Sequence, residues 1–200
     1  MKKIIFIAFI AFFSALNVQA QEFKFGVKGG INVASIGGDG SGVSGVASKV
    51  GGHIGGVVQI PIATNFSIQP ELLYSMEGSK GWWYVHSYGN YGDTKLDYVR
   101  IPVMGQYHII EGLTAQLGPV FGVLVSAKSG SVDIKDGYNG FDAQLGIGAT
   151  YTFDFGLFGG LRYNKGLMNI SKDYTDPDTH YIYSYSQNSN VFQISVGYYF

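Results

Sequence analysis

No cysteine occurs anywhere in the 200 residues. That absence removes disulfides, thiolate metal sites, a cysteine nucleophile and a lipoprotein anchor. Charge is scarce as well. Lys and Arg number 13, Asp and Glu 14, together 14% of the chain with a net charge of −1. Such a balance offers no electrostatic case for nucleic acid or for a polybasic membrane patch. No nucleic-acid partner is expected. Long apolar runs are missing too. Ile4 to Phe13 is the one stretch of note, and it falls well short of the ~20 residues a transmembrane helix needs.

That stretch belongs to the opening "MKKIIFIAFIAFFSALNVQA". Lys2 and Lys3 form a basic start, Ile4 to Phe13 an apolar centre, and Val18-Gln19-Ala20 places small residues where a secretory leader is cut. Residues 1–20 are therefore expected to be a signal peptide, and 21–200 one domain. Removing the leader takes two lysines with it.

Glycine and aromatic residues are present in plenty: 30 Gly, 15 Tyr and 14 Phe. The chain is 46% hydrophobic, too much for disorder. Period-two alternation runs almost throughout, the mark of half-buried strands. In "FKFGVKGGINV", Phe23, Phe25, Val27, Ile31 and Val33 oppose Lys24, Lys28 and Asn32. In "NFSIQPELLYSM", Phe66, Ile68, Leu72, Tyr74 and Met76 oppose Ser67, Gln69, Glu71 and Ser75. "KVGGHIGGVVQI", "DYVRIPVMGQYHI", "LTAQLGPVFGVLVSA", "FDAQLGIGATYTF", "LFGGLRYNKGL" and "NVFQISVGYYF" repeat the pattern. Eight strands of ten or more residues result, with no helical pattern between them.

The connectors alternate in length. Short ones fall near Pro61–Thr64, Ile110–Gly112 and Asp154–Gly156. Long polar ones fall near Ile36–Ser48, Gly78–Thr94, Lys128–Gly140 and Ser171–Ser189. Outer-membrane barrels sort their loops this way, with tight periplasmic turns and large external loops. The expected fold is all-β: an eight-stranded antiparallel transmembrane β-barrel. Lipid cannot hydrogen-bond, so the sheet must close.

The apolar set then faces lipid, with Phe23, Phe66, Tyr107, Tyr151, Phe153 and Phe200 as an interfacial girdle. Glycines such as Gly26, Gly30, Gly52, Gly56, Gly118, Gly122, Gly146 and Gly148 are assigned to the interior. An eight-stranded bore holds side chains but no open channel. Lys24, Lys28, His53, Glu71, Arg100, Asp142 and Arg162 form the expected polar network of that lumen, with Glu71 paired to Arg100. Buried charges need partners, so this set reads as a plug. Pro70, Pro102 and Pro119 interrupt strands, and bulges are the expected accommodation. The last strand must pair with the first, so Phe200 closes the barrel. With Tyr198 it also reads as an assembly signal at the carboxyl end.

The segments "FKFGVKGGINVASI", "SIQPELLYS", "DYVRIPVMGQYHI", "AQLGPVFGVLV", "FDAQLGIGATYTF", "LRYNKGLMNIS" and "VFQISVGYYF" resemble, in order, the eight-stranded outer-membrane β-barrel family labelled porin-family or PorT-like, of Bacteroidota type. "QPELLYS" and "IPV" carry most of the likeness. The resemblance implies a barrel in the outer membrane and carries over no catalytic residue.

Function is less legible. The glycine run "GGDGSG" lacks the Lys-Ser/Thr of a phosphate cradle and opens no helix. His53, His86, His108 and His180 lie on separate segments, without metal-ligand spacing. Triads built from His86 with Ser87, or from His180, Ser184 and Asp178, have nothing to fix their geometry. No metal, cofactor or enzymatic activity is expected. The loops are rich in aromatics, with Trp82, Trp83, Tyr84 and Tyr88 in one and Tyr181 and Tyr183 in another. Such side chains offer rigid contact area, and they equally serve cross-strand pairing. The expected role is structural or surface-interactive, with a polar-plugged lumen. A narrow solute pore and an aromatic-loop ligand binder are the alternatives, and a lipid-modifying enzyme comes last. Expected partners are outer-membrane lipid and the outer-membrane assembly machinery, and the expected state is a monomer.

Overall fold

A computed structural model describes residues 23–38, 47–80, 93–175, 182–183 and 186–200. The strands are β1 (Lys24–Gly37), β2 (Ala47–Ala63), β3 (Phe66–Lys80), β4 (Thr94–Ile110), β5 (Leu113–Ser129), β6 (Val132–Asp133), β7 (Phe141–Thr152), β8 (Leu157–Gly166), β9 (Tyr174–Thr175), β10 (Ile182–Tyr183) and β11 (Asn188–Tyr199). Eight of them close a cylinder in the order β1-β2-β3-β4-β5-β7-β8-β11, every pair antiparallel. β1 meets β11 along twelve residue pairs, from Gly26 opposite Tyr199 to Gly37 opposite Asn188. Phe200 extends that seam by donating its backbone N–H to Phe25 O at 2.9 Å. No barrel strand is left with a free edge, as a lipid-embedded sheet requires.

The alternation read from sequence becomes an outside and an inside. Phe25, Val27, Ile31, Ile54, Leu72, Tyr74, Ile101, Tyr107, Leu117, Ile147, Leu161, Ile194 and Val196 are exposed on the outer wall. Their sequence neighbours Lys28, Asn32, His53, Glu71, Arg100, Gln116, Arg162 and Gln193 are buried within. Gly52 and Gly56 are an exception to the expected interior set. They share parity with the exposed Val50 and Ile54, and Gly56 is itself exposed, so both line the outer wall. A repeat of paired glycines puts one of each pair on either face.

Both described ends of the barrel and all three short turns lie at one rim. Gly112 and Gly156 hold those turns with φ of 79° and 92°, values that favour a residue without a Cβ. The long connectors lie at the other rim. There β6 pairs with the top of β5, above the point where β7 ends. A 3-10 turn at Lys135–Gly137 follows, and Tyr138 bridges to Ser171. β9 and β10 form a two-residue ladder separate from the barrel sheet.

The three prolines do not sit at bulges. Register shifts occur instead between Ser48 and His53, Pro61 and Ala63, Asp97 and Tyr98, and His108 and Ile110. Beside Pro70, Pro102 and Pro119 the ladder skips two rungs and resumes in unchanged register. Pro102 falls in the gap opposite Glu71, and Pro119 in the gap opposite Val103, so the three missing donors run in a step across β3, β4 and β5. A lone missing N–H costs rungs. Bulging would also turn every residue beyond it to the wrong face.

Candidate functional site

The lumen is the site the sequence points to, and it is filled. Near the long-connector rim, Ile36, Leu96, Tyr98, Leu124, Ala127, Tyr138 and Ile170 form a buried apolar cluster, with Ile134 against it. Tyr138 and Ile170 come from the connectors, so the chain folds back over the mouth. Asn139 N donates to Ile170 O at 2.8 Å, and Lys172 N to Gly137 O at 2.9 Å.

Beneath this layer sit two ionic tiers. In the upper one, Arg100 grips Glu77 with two hydrogen bonds, Nε to Oε1 at 2.9 Å and Nη2 to Oε2 at 2.7 Å. Its Nη1 reaches Asp142 Oδ2 at 2.6 Å. Ser75 and Ser189 hydroxyls complete Glu77 at 2.9 and 3.1 Å. The guanidinium lies 4.0 Å over the Tyr98 ring. A Cβ on Gly122 would collide with it, which explains a glycine at that inward position.

In the lower tier, Glu71 accepts four hydrogen bonds. Lys28 Nζ and Arg162 Nη1 reach Oε2 at 2.8 and 3.0 Å, and Arg162 Nη2 and Gln69 Nε2 reach Oε1 at 2.6 and 2.7 Å. Four is about the full capacity of a carboxylate. Arg162 Nη2 also donates to Gln116 Oε1 at 2.7 Å. The lower tier holds two cations and one anion, the upper tier one cation and two anions. The lumen as a whole is neutral, as a low-dielectric site must nearly be.

The expected network names Lys28, His53, Glu71, Arg100, Asp142 and Arg162, and the structure buries all six inside the barrel. It fails in two respects. Lys24 has inward parity but sits exposed at the short-turn mouth, where the barrel opens. The expected pair of Glu71 and Arg100 does not form: Arg100 faces Leu73, and Glu71 lies opposite Pro102 in the skipped part of the ladder. That offset of two residues leaves each side chain to other partners: Arg100 takes Glu77 of the neighbouring β3 and Asp142 of β7, and Glu71 takes Lys28 of β1 and Arg162 of β8. Glu77 was missed, although the odd positions Glu71, Leu73 and Ser75 already pointed to it.

His53 sits between the two tiers, opposite Ser75 of β3. Its Nδ1 donates to Asn32 Oδ1 at 2.7 Å, and its Nε2 accepts from Ser195 Oγ at 2.9 Å. Serine, histidine and an amide in that order resemble a nucleophile, its base and the group that orients the base. The space beside Ser195 is about 10 Å³, room for one water and for no acyl substrate. The triads considered around His86 and His180 lie outside the described residues, as do Trp82, Trp83, Tyr84, Tyr88 and Tyr181. Tyr183 lies in β10, paired with Tyr174. No group of three His, Cys, Asp or Glu able to hold a metal occurs among the described residues.

The sequence profile of the outer membrane protein beta-barrel domain matches residues 19–172. The chain belongs to this family. The family places it in the outer membrane. No curated protein matches the sequence. Among solved structures, Neisserial surface protein A superposes with a TM-score of 0.57 at 14% identity, covering 90% of this chain and 100% of that one. Ail, the attachment invasion locus protein of Yersinia pestis, in complex with the heparin analogue sucrose octasulfate, superposes with a TM-score of 0.51 at 12% identity, covering 90% and 100%. At such identities the likeness is one of fold. For this outer-membrane barrel, the fold assignment and the lipid-facing wall agree.

Proposed function

We propose that this outer-membrane barrel is a non-conducting scaffold that acts through its long-connector face. The observation that carries this reading is the filled lumen: two neutralising ionic tiers under an apolar layer that the chain itself caps. The short-turn rim faces the periplasm, and the long connectors face outward. The aromatic segments holding Trp82, Trp83, Tyr84, Tyr88, Tyr181 and Tyr183 supply the contact surface. A sulfated-sugar analogue bound to Ail supports screening this face for anionic glycans first. Phe200 and Tyr198 form the signal by which the assembly machinery takes up the chain, and the surrounding lipid holds it as a monomer. No catalytic role is assigned.

Planar-bilayer recording of the purified protein tests the reading. No unitary conductance steps are expected, and reproducible steps would make the narrow pore the better description. Removing residues 82–91 should abolish glycan-array binding and leave heat-modifiable gel migration intact. Removing Phe200 should lower the amount assembled in the outer membrane.

A further inference from the structure

At the short-turn rim the barrel opens into a cup of about 510 Å³, within the ordinary range of small-ligand sites. The cup is blind. Its floor is a hydrogen-bonded layer. Gln59 Nε2 donates to Gln106 Oε1 at 2.9 Å, and Ser67 Oγ joins the same oxygen at 2.9 Å. His108 spans Ser67 and Thr114 at 3.1 and 3.0 Å. Gln106 continues to Gln69, and Gln69 to Glu71, so the floor is braced by the lower ionic tier. A ligand can enter this cup only from the rim.

Two charged groups of opposite sign line the wall, Lys24 and Asp154. Neither makes an ion pair, with the other or with any other described residue. Lys24 projects from the first residue of β1, and Asp154 from the turn between β7 and β8. The remaining wall is aromatic. Phe23, Phe153, Phe155 and Phe200 line the cup and are also largely exposed. Phe153 stacks on Phe155 at 5.5 Å and meets Tyr151 edge-on at 5.1 Å. Tyr151 belongs to the outer wall, so the aromatic rim runs without a break from the cup to the lipid-facing girdle. That girdle marks the level of the lipid headgroups.

A complementary ligand needs an anionic group for Lys24, a cationic group for Asp154 and an apolar body for the rim. We infer that the cup binds a phosphoethanolamine head, its phosphate on Lys24 and its primary ammonium on Asp154, with the acyl chains leaving over the phenylalanine rim into the adjoining leaflet. A primary ammonium donates hydrogen bonds to a carboxylate. A quaternary one cannot, and a glycerol head has no cation at all. The inference concerns the opposite end of the barrel from the proposed contact face and stands independently of it.

Native mass spectrometry of the full chain in detergent tests it. Phosphatidylethanolamine, phosphatidylcholine and phosphatidylglycerol are supplied at equal amounts. Retention of phosphatidylethanolamine should exceed each of the others about fivefold. Asp154→Asn should bring that ratio close to one, and Lys24→Gln, which removes the contact to the phosphate shared by all three heads, should lower retention of all three severalfold, with heat-modifiable migration unchanged. Excess glycerophosphoethanolamine separates two sources of the same chemistry. Failure to displace the lipid assigns the site to the membrane leaflet, and full displacement assigns it to the soluble head. Equal retention of all three lipids, a preference that survives Asp154→Asn, or retention that Lys24→Gln leaves unchanged overturns the site.

Discussion

The two ionic tiers are near mirror images in charge and differ in what they tie together. The upper tier is centred on a cation, Arg100, between Glu77 and Asp142. The lower is centred on an anion, Glu71, between Lys28 and Arg162. Glu71 on β3 reaches β1 on one side and β8 across the bore, over 43 and 91 residues of sequence. Arg100 on β4 reaches β3 and β7, with Ser189 of β11 closing on Glu77. The lower tier therefore braces β1, the first strand of the closing seam, and the upper braces the wall beneath the cap. Each is stable only as a set, because any member left alone is a buried charge.

Breaking the centre of either tier should have the largest effect. Glu71→Ala strands two cations, and a loss of about 3–5 kcal/mol is expected, read as a lower urea midpoint of unfolding in lipid vesicles. If Arg100→Ala proves equally costly, the seam adds nothing special to the lower tier. Exchanging a whole tier is the sharper test. Lys28→Met, Glu71→Leu and Arg162→Met together should cost less than Glu71→Ala alone, because no ion of that tier is left unpaired, although the upper tier's net negative charge then stands uncompensated. A loss as large as that of Glu71→Ala alone would mean that the tier adds net stability. Gly122→Ala should act on the upper tier alone. Its methyl group displaces the Arg100 guanidinium, at a cost of about 1–3 kcal/mol, and Gly118→Ala must be compared because its Cβ meets the β4 backbone instead. Lys24→Gln should leave the unfolding midpoint unchanged within error, because the residue is exposed and outside both tiers.

Particular residues show why some of this was readable in advance. Alternation placed Arg162 inside and Leu161 outside from their immediate neighbours, because a pleated strand turns successive side chains to opposite faces. It placed Gln193 and Phe192 equally well. Height along the barrel was another matter. Lys24 obeys the alternation of Lys28, yet it lies one turn of the pattern too close to the rim to be covered. The long connector between β3 and β4 sets no register, so the opposition of Arg100 to Leu73 rather than to Glu71 could not be counted from the residues. The proline steps were equally hidden: a missing N–H is visible in sequence, but whether the strand bulges or skips rungs depends on both of its neighbours.

Composition and period two by themselves determined the fold class, the lipid-facing wall and the pool of side chains in the lumen. Those properties rest on residues one and two positions apart. Which charges meet, where the cap seals and how a blind cup forms at the other rim were decided only by closure of the sheet. Closure brings β1 against β11 and sets side chains from strands far apart in sequence into one narrow, dry space, where each ion takes the partner its height and reach allow.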